Sequence, residues 1–391
     1  MKVIIIGSGI AGLTLAIACQ RHGIEVVIYE KAKQLQNIGG GILLWPHGLR
    51  YLDWLGLSDN IKPYDIKIDG IDLISDEGEK IYSENYDELY SLIGGSILPI
   101  DRSAFQQSLL KQLDTQSLFL AKKCINVCSD NNKATAYFSD GTEDAADIIV
   151  GADGLYSTVR QSINREAAHQ YSHFCWFGGI ADHESSSFLS NKTYMAMGIN
   201  KLFIAWPTVH QRMMWYLPVK MPLEHYSQEK EFHQLNDYCN DWLPEIKQMV
   251  FSSSNKQRFY LPINILSSQK ISHQHIVLIG DAAHTLGPIL GQGASQAIED
   301  AYFLFHYLKN LQHQQDNAFL AYEKMRLQHY QQLARLENAT SSAMVYDKKE
   351  DLHAFQNQVG NLSLVEMYQE LIPLVAESYV KTMLQEMELI L

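Results

Sequence analysis

The chain has 391 residues, polypeptide enough for about two or three domains. With 46% hydrophobic and 19% charged residues it can bury a large core, which excludes wholesale disorder. Its 31 lysines and arginines stand against 44 aspartates and glutamates, a net charge of −13, and this excludes the basic surplus of a nucleic-acid binder while leaving room for a local basic pocket. The five cysteines, Cys19, Cys124, Cys128, Cys175 and Cys239, are few, odd in number and scattered. They do not suggest a disulfide framework and fit a reducing, cytoplasmic interior.

Lys2 and the mostly apolar run up to Cys19 have the outline of a leader peptide, but Gly7, Ser8, Gly9 and Gly12 interrupt it. Val26 to Glu30 then follows at the distance expected of a strand–helix–strand unit. No uninterrupted apolar stretch elsewhere reaches the ~20 residues of a membrane span. Residues 2–6 read as a strand buried on both faces of a parallel sheet. A helix is predicted from Ile10 to His22, with Gly23 at its C-terminal end. A second runs from His47 to Leu55 and ends at Gly56. Residues 66–100 hold short strand-like runs and few helix signals. Asp101 can cap a helix that carries Phe105, Leu109, Leu110 and Leu113 on its apolar side. A strand near 118–127, a hairpin at Asp140-Gly141 and a buried strand from Asp147 to Val150 follow. From about 170 to 265 the segments Phe174–Ile180, Tyr194–Gly198, Leu202–Pro207 and Met213–Val219 suggest an antiparallel sheet. A buried strand returns at Ile276–Gly280, then a solvated loop at 312–315 and a helical tail to Leu391.

Gly7-Ser8-Gly9-Ile10-Ala11-Gly12 is a G-x-G-x-x-G placed between a predicted strand and a predicted helix. In such a loop the first glycine makes the turn, the second admits a pyrophosphate and the third lets helix and strand pack closely. The helix N-terminus offers free N–H groups and about half a positive charge to phosphates. Glu30 ends the second strand, where its carboxylate can bond a ribose. The motif by itself does not separate NAD from FAD.

Three later segments do. Asp147-Ile148-Ile149-Val150-Gly151-Ala152-Asp153-Gly154, with Ser157 and Arg160, resembles the "DG" motif of flavoprotein hydroxylases. Gly280-Asp281-Ala282-Ala283-His284, then Pro288 and Gly291-Gln292-Gly293, resembles their "GD" motif, and Arg102 resembles the arginine they place beside the flavin pyrophosphate. Over residues 1–340 the chain is similar to the single-component, class A FAD-dependent aromatic hydroxylases, among them the para-hydroxybenzoate, salicylate and urate hydroxylases. The resemblance implies an α/β fold. A discontinuous Rossmann-like FAD-binding domain (1–66, 97–168 and 266–345) would carry an inserted antiparallel β-sheet substrate domain (67–96 and 169–265) and a C-terminal helical segment (346–391). It implies FAD contacts at Gly7, Gly9, Ala11, Gly12, Glu30, Lys31, Gly41, Leu43, Arg102, Cys124, Asp153, Asp281, Gly291, Gln292, Gly293, Ala294 and Ser295. The loop from Gly39 to Pro46 resembles the family loop that passes beside the flavin ring. Independently of the family, Asp281 ends an apolar strand, where a carboxylate can bond a ribityl hydroxyl. A helix starting near Gly293 would aim its positive end at the ring, where reduced flavin is negative.

The resemblance further implies that NADPH or NADH reduces the flavin, that dioxygen adds at C4a, and that the hydroperoxide oxygenates a small, electron-rich aromatic substrate. No metal and no protein nucleophile are then required. His47, Trp176, Phe177, Trp206, Trp215, Tyr216 and Pro288 are the candidates for the substrate pocket, each also explicable as core. In urate hydroxylases an arginine on a middle-domain strand binds the substrate. The approximate register puts Leu202 there, which disfavours urate. His273 and His275 stand two apart with no completing ligand cluster, Cys124 and Cys128 are not a C-x-x-C pair, and Ser157 lacks a G-x-S-x-G context. The stretch Leu362–Leu391 reads as a packing or dimer helix, in a monomer or homodimer. Two alternatives stay open: another FAD enzyme, reductase or halogenase-like, although no W-x-W-x-I-P segment is present, and a non-catalytic flavoprotein that sequesters an aromatic ligand.

Overall fold

A computed structural model describes residues 1–35, 40–130, 132–164, 169–182, 191–226, 231–254, 257–266, 269–310 and 315–390. Gly39 of the triple-glycine loop and residues 312–314 of the expected solvated loop lie outside them. A six-stranded sheet holds, in spatial order, Ser272–His273, Ile276–Leu278, Ile148–Gly151, Lys2–Ile6, Glu25–Tyr29 and Leu118–Phe119. Its pairs are parallel except the first, and Val3, Ile4, Ile5, Ile149, Val150 and Val277 are fully buried, as a sheet covered on both faces requires. The helix Ile10–Arg21 packs against the long helix Gly293–Lys309, so the first and the last parts of the motif set come together.

The strand-rich middle of the chain forms a seven-stranded sheet in the order Phe259–Leu266, His169–Asp182, Arg212–Lys220, Lys201–Thr208, Lys192–Gly198, Gly70–Ser75, Lys80–Asn85. The expectation of an antiparallel sheet holds except at one pair, since Lys192–Gly198 runs parallel to Gly70–Ser75. Strand alternation sorts its residues onto two faces. Phe177, Phe203, Met213, Trp215 and Leu217 pack with Leu235, Ile246 and Val250 of the helices Glu231–Cys239 and Pro244–Ser252. Trp176, Ile204, Trp206, Met214 and Tyr216 pack instead with Trp45 and with Leu352, Val359, Leu364, Leu371 and Val375 of the C-terminal segment. The tail is therefore a packing element of both cores, since Val380, Met383 and Met387 join the cluster around the six-stranded sheet.

Two local expectations are corrected. The strand near 118–127 is two strands, Leu118–Phe119 and Cys124–Ser129, with Ala121 at φ +57° between them. Residues 66–100, read as poor in helix, contain the helix Asp87–Ile93, which has Asp87 and Glu88 in its first turn and ends on Gly94 in the left-handed region. Asp101 caps Arg102–Leu110 as expected, its Oδ1 accepting from the amides of Ser103 and Ala104 at 2.8 and 3.1 Å. The run 2–21 is strand and helix, and no helix among the described residues is long and apolar enough to cross a membrane.

Candidate functional site

Two cavities meet where the glycine loop faces Arg102. One of about 440 Å³ is bordered by Gly7, Glu30, Lys31, Cys124 and Asp153, and the other, of about 380 Å³, continues past Ala11, Gly41 and Leu43 to Asp281. Gly9, Arg102, Ala152 and Gly154 belong to both walls. The loop geometry follows from its glycines. Gly7 has φ +107°, and a Cβ on Gly12 would stand 2.2 Å from the Gly7 carbonyl oxygen, so neither position admits a side chain. At Gly9 a Cβ would meet nothing within 4 Å, because that face opens on the cleft. Gly9 is also the N-cap of Ile10–Arg21, and no side chain caps this end.

The second helix aimed at the cleft has the same design. Gly291, Gly293 and Ala294 line the cavity, a Cβ on Gly293 would be clear of all neighbours, and Gln292 makes no side-chain cap. Gln292 is fully buried with both amide atoms lacking a protein partner, and Ser295 is turned inward, its hydroxyl accepting from the Trp45 amide at 3.0 Å. Gly12, Gln292 and Ser295 thus stand behind the wall. Two open helix N-termini and a cationic side chain on the same wall are what a dinucleotide with a pyrophosphate bridge needs. The residues fit FAD.

The acidic groups have distinct tasks. Glu30 accepts from the Ser8 amide, the Ser8 hydroxyl and the Ala32 amide, each at 2.9 Å, so it locks the glycine loop and keeps about one lone-pair site for a ribose. Asp153 is drawn into its own segment, accepting from the Ser157 hydroxyl at 2.5 Å and the Thr158 amide at 2.7 Å, and burial raises its pKa against those bonds. Asp281 opens into the cleft. Its carboxylate is exposed to that opening, yet the protein packed around the cleft desolvates it enough to raise its carboxyl above the ordinary range, opposed by the charges of His284 and Arg102.

Beneath the long helix lies a buried ion cluster that the sequence reading missed. Arg326 Nε and Nη1 reach Asp300 and Glu299 at 2.6 Å each, and Nη2 donates to Gln296 at 2.7 Å. The Tyr379 hydroxyl donates to Glu299 at 2.8 Å, and the Gly280 amide to Asp300 at 2.7 Å. Burial alone would raise Asp300, but His284, Arg326 and the Gly280 amide hold it at about 2. Burial raises Glu299 against the pull of Arg326. His47, expected in the substrate pocket, belongs here instead: it is fully buried, 3.9 Å from Glu299 and 3.5 Å from Gln296. Burial, then the charges of Arg326 and Arg50, push its pKa down to about 3, so its ring is neutral.

Of the other pocket candidates, Trp176, Trp206, Tyr216 and Pro288 line the cavity. Trp206 stacks on Tyr216 with centroids 5.1 Å apart, and Tyr216 is fixed by its hydroxyl, which donates to the Gly41 carbonyl at 2.5 Å and accepts from the Gly41 amide at 2.7 Å. Trp215 and Phe177 are on the opposite sheet face, where the Trp215 indole donates to Ser253 at 2.7 Å. Leu202 is fully buried on the same strand face as Ile204 and Trp206 but is not on the cavity wall. The wall also includes Trp45, Met195, Ile204, Tyr86 and Tyr368, which the sequence did not single out. Tyr368 comes from the C-terminal segment, its ring 6.2 Å from that of Trp45. Glu337 holds the adjacent loop, accepting from the amides of Ile289 and Leu290 at 2.9 and 3.0 Å. Burial lifts its carboxyl to about 7 against those two bonds.

Comparison with known proteins places this geometry. A family model described as an FAD binding domain matches residues 1–337. The chain is 28% identical over 333 residues to the 3-amino-4-hydroxybenzoate 2-monooxygenase of Streptomyces cremeus, covering 84% of this chain and 83% of that protein. It is 25% identical over 337 residues to the FAD-dependent urate hydroxylase of Mycolicibacterium vanbaalenii, covering 83% and 84%. Its fold is shared with Klebsiella pneumoniae HpxO, solved with FAD and uric acid, at a TM-score of 0.87 and 21% identity over 98% of this chain and 97% of that one.

Proposed function

The chain belongs to the FAD binding domain family and is an FAD-dependent monooxygenase, and we propose that it uses NADPH or NADH and dioxygen to hydroxylate a small aromatic substrate lodged in the apolar half of the cleft. The observation that carries this reading is the junction at Gly9 and Arg102, where a polar dinucleotide seat runs without interruption into a cavity walled by Trp176, Trp206 and Tyr216. When bound, FAD would supply the redox and oxygen-transfer chemistry that no side chain here provides.

The protein's own contribution is position, charge and exclusion of water. Arg102 and the N-termini at Gly9 and Gly293 bind negative charge, and fixed dipoles there need no rearrangement during reaction. Asp281, on the same wall, would accept a hydrogen bond from a hydroxyl of the cofactor. Tyr216 pins the Gly41 backbone, which fixes the loop Gly41–Leu44 against the sheet. Trp45 and Tyr368 close the far side and keep water out. The five cysteines, all free, fit a reducing compartment.

The test is to supply aromatic compounds to the FAD-loaded enzyme with NADPH under isotopically labelled dioxygen. Nicotinamide oxidation stimulated by the compound, with one labelled oxygen in the product, is the expected result. Ligand binding without labelled product would favour the sequestering flavoprotein. A product altered without labelled oxygen would favour a reductase.

A further inference from the structure

The substrate half of the cleft is assembled from apolar side chains. Ile71, Ile97, Met195, Ile204, Trp206 and Leu290 form its surface, and each comes from a different stretch of chain except the neighbours Ile204 and Trp206. The charged residues on the wall of this cavity, among those described, are Arg102 and Asp281, and both stand at the cofactor end beside the glycine loops. The ionisable groups that do reach the substrate half are phenols. Tyr86 is occupied with Thr193 at 3.1 Å and Tyr216 with the Gly41 backbone, while Tyr368 packs against Trp45. Burial raises all three pKa values, so these surroundings favour neutral forms of what they enclose.

An anionic ring placed there would surrender its hydration without a cation to receive it, and an unpaired buried carboxylate is strongly disfavoured. We propose that the substrate is an uncharged, planar aromatic molecule, recognised through its apolar faces by the Trp206–Tyr216 wall and not through a carboxylate. The proposal rests on the substrate lying in this half of the cleft, as argued above, and separates this chain from relatives whose named substrates are benzoates. Aromatic faces prefer offset or edge-on partners, which Trp206, Tyr216 and Trp176 present together.

The probes are 2-naphthol and 6-hydroxy-2-naphthoate, which share a ring and differ by one carboxylate. Each is titrated into the FAD-loaded enzyme at pH 7 while the flavin absorption spectrum is followed. Naphthol is expected to bind tighter by at least about 30-fold. Equal affinity, or tighter binding of the naphthoate, would overturn the proposal. Ile204→Arg places a cation on the wall and is expected to raise naphthoate affinity by about 10-fold or more while weakening naphthol. A folded, FAD-loaded variant whose naphthoate affinity is unchanged would contradict the placement of the substrate. If that variant fails to fold, the wild-type pair still decides. Naphthol bound without labelled oxygen in the product would show that this surrogate is mispositioned for reaction while leaving the substrate class standing, and the labelled-dioxygen test across aromatic compounds decides the reaction separately.

Discussion

Around Gly9 and Arg102 the cleft is made of backbone and charge, whereas around Trp206 and Tyr368 it is made of side-chain surface. The first end uses segments whose consecutive residues do the work: a glycine loop that opens on the cleft, a helix N-terminus, a carboxylate closing a strand. The second draws Trp45, the hairpin residues Met195 and Trp206, and Tyr368 from three distant parts of the chain. A phosphate-bearing cofactor is recognised by dipoles that backbone geometry fixes, and an aromatic ring by packed area that only tertiary structure supplies. The two ends should therefore respond differently to substitution.

The largest expected effect strikes both ends at once. Arg326→Met leaves Glu299 and Asp300 buried without their cation, and the long helix loses its charged anchor to the helix Gln315–Met344. Breaking such a cluster costs about 3–5 kcal/mol, read as a shift in urea midpoint at constant slope. A loss under about 1 kcal/mol would mean that the cluster does not hold the halves together.

The next effect belongs to the substrate end and depends on pH. Glu337 has a folded pKa of about 7 against an ordinary 4.5, so its protonation favours the folded state. The stability it contributes is fully present below pH 4.5 and is lost as pH rises through about 7, by about 3 kcal/mol. Glu337→Gln keeps an acceptor for only one of the Ile289 and Leu290 amides, so it costs stability at every pH, but with no proton to lose it should flatten that decline. An unaltered stability–pH curve would show that another group produces it.

At the cofactor end, Asp281→Ala removes one charged acceptor and should weaken FAD by about 1.5–3 kcal/mol, roughly 10- to 150-fold, with aromatic binding to the loaded enzyme unaffected. Unchanged FAD affinity would reduce Asp281 to a turn residue. The smallest effect is the mirror image. Tyr368→Ala should leave FAD affinity alone and weaken an aromatic ligand by about 0.5–1.5 kcal/mol, the range of a lost ring contact. Loss of FAD instead would place the tail against the cofactor.

The same division explains what could be read from the chain directly. The glycine loop, Glu30, the Asp101 cap and Asp281 were legible because each is a local pattern with a local physical reason. Trp215 and Tyr216 show the limit: adjacent strand residues face opposite ways, so only one could line the pocket, and alternation alone does not say which face the cofactor shares. His47 follows the flavin-side loop, yet the helix Pro46–Trp54 turns it toward Glu299 and Gln296 rather than the ligand. Nothing in the spacing around Tyr368 signals that it crosses to Trp45. The helix Asp87–Ile93 carried its signals, an acidic first turn and a terminal glycine, in a segment dominated by strands.

The claim that the open backbone at Gly9 is the cofactor seat is tested most directly by Gly9→Ala. Its φ of −71° suits alanine, and the added methyl meets no protein atom within 4 Å. FAD is titrated calorimetrically into the apoprotein of wild type and variant, with the melting temperature of each apoprotein recorded alongside. The account predicts an unchanged melting temperature and an FAD affinity reduced by at least about 10-fold, since the methyl would fill the space the pyrophosphate needs. Equal FAD affinity in the two proteins would contradict it.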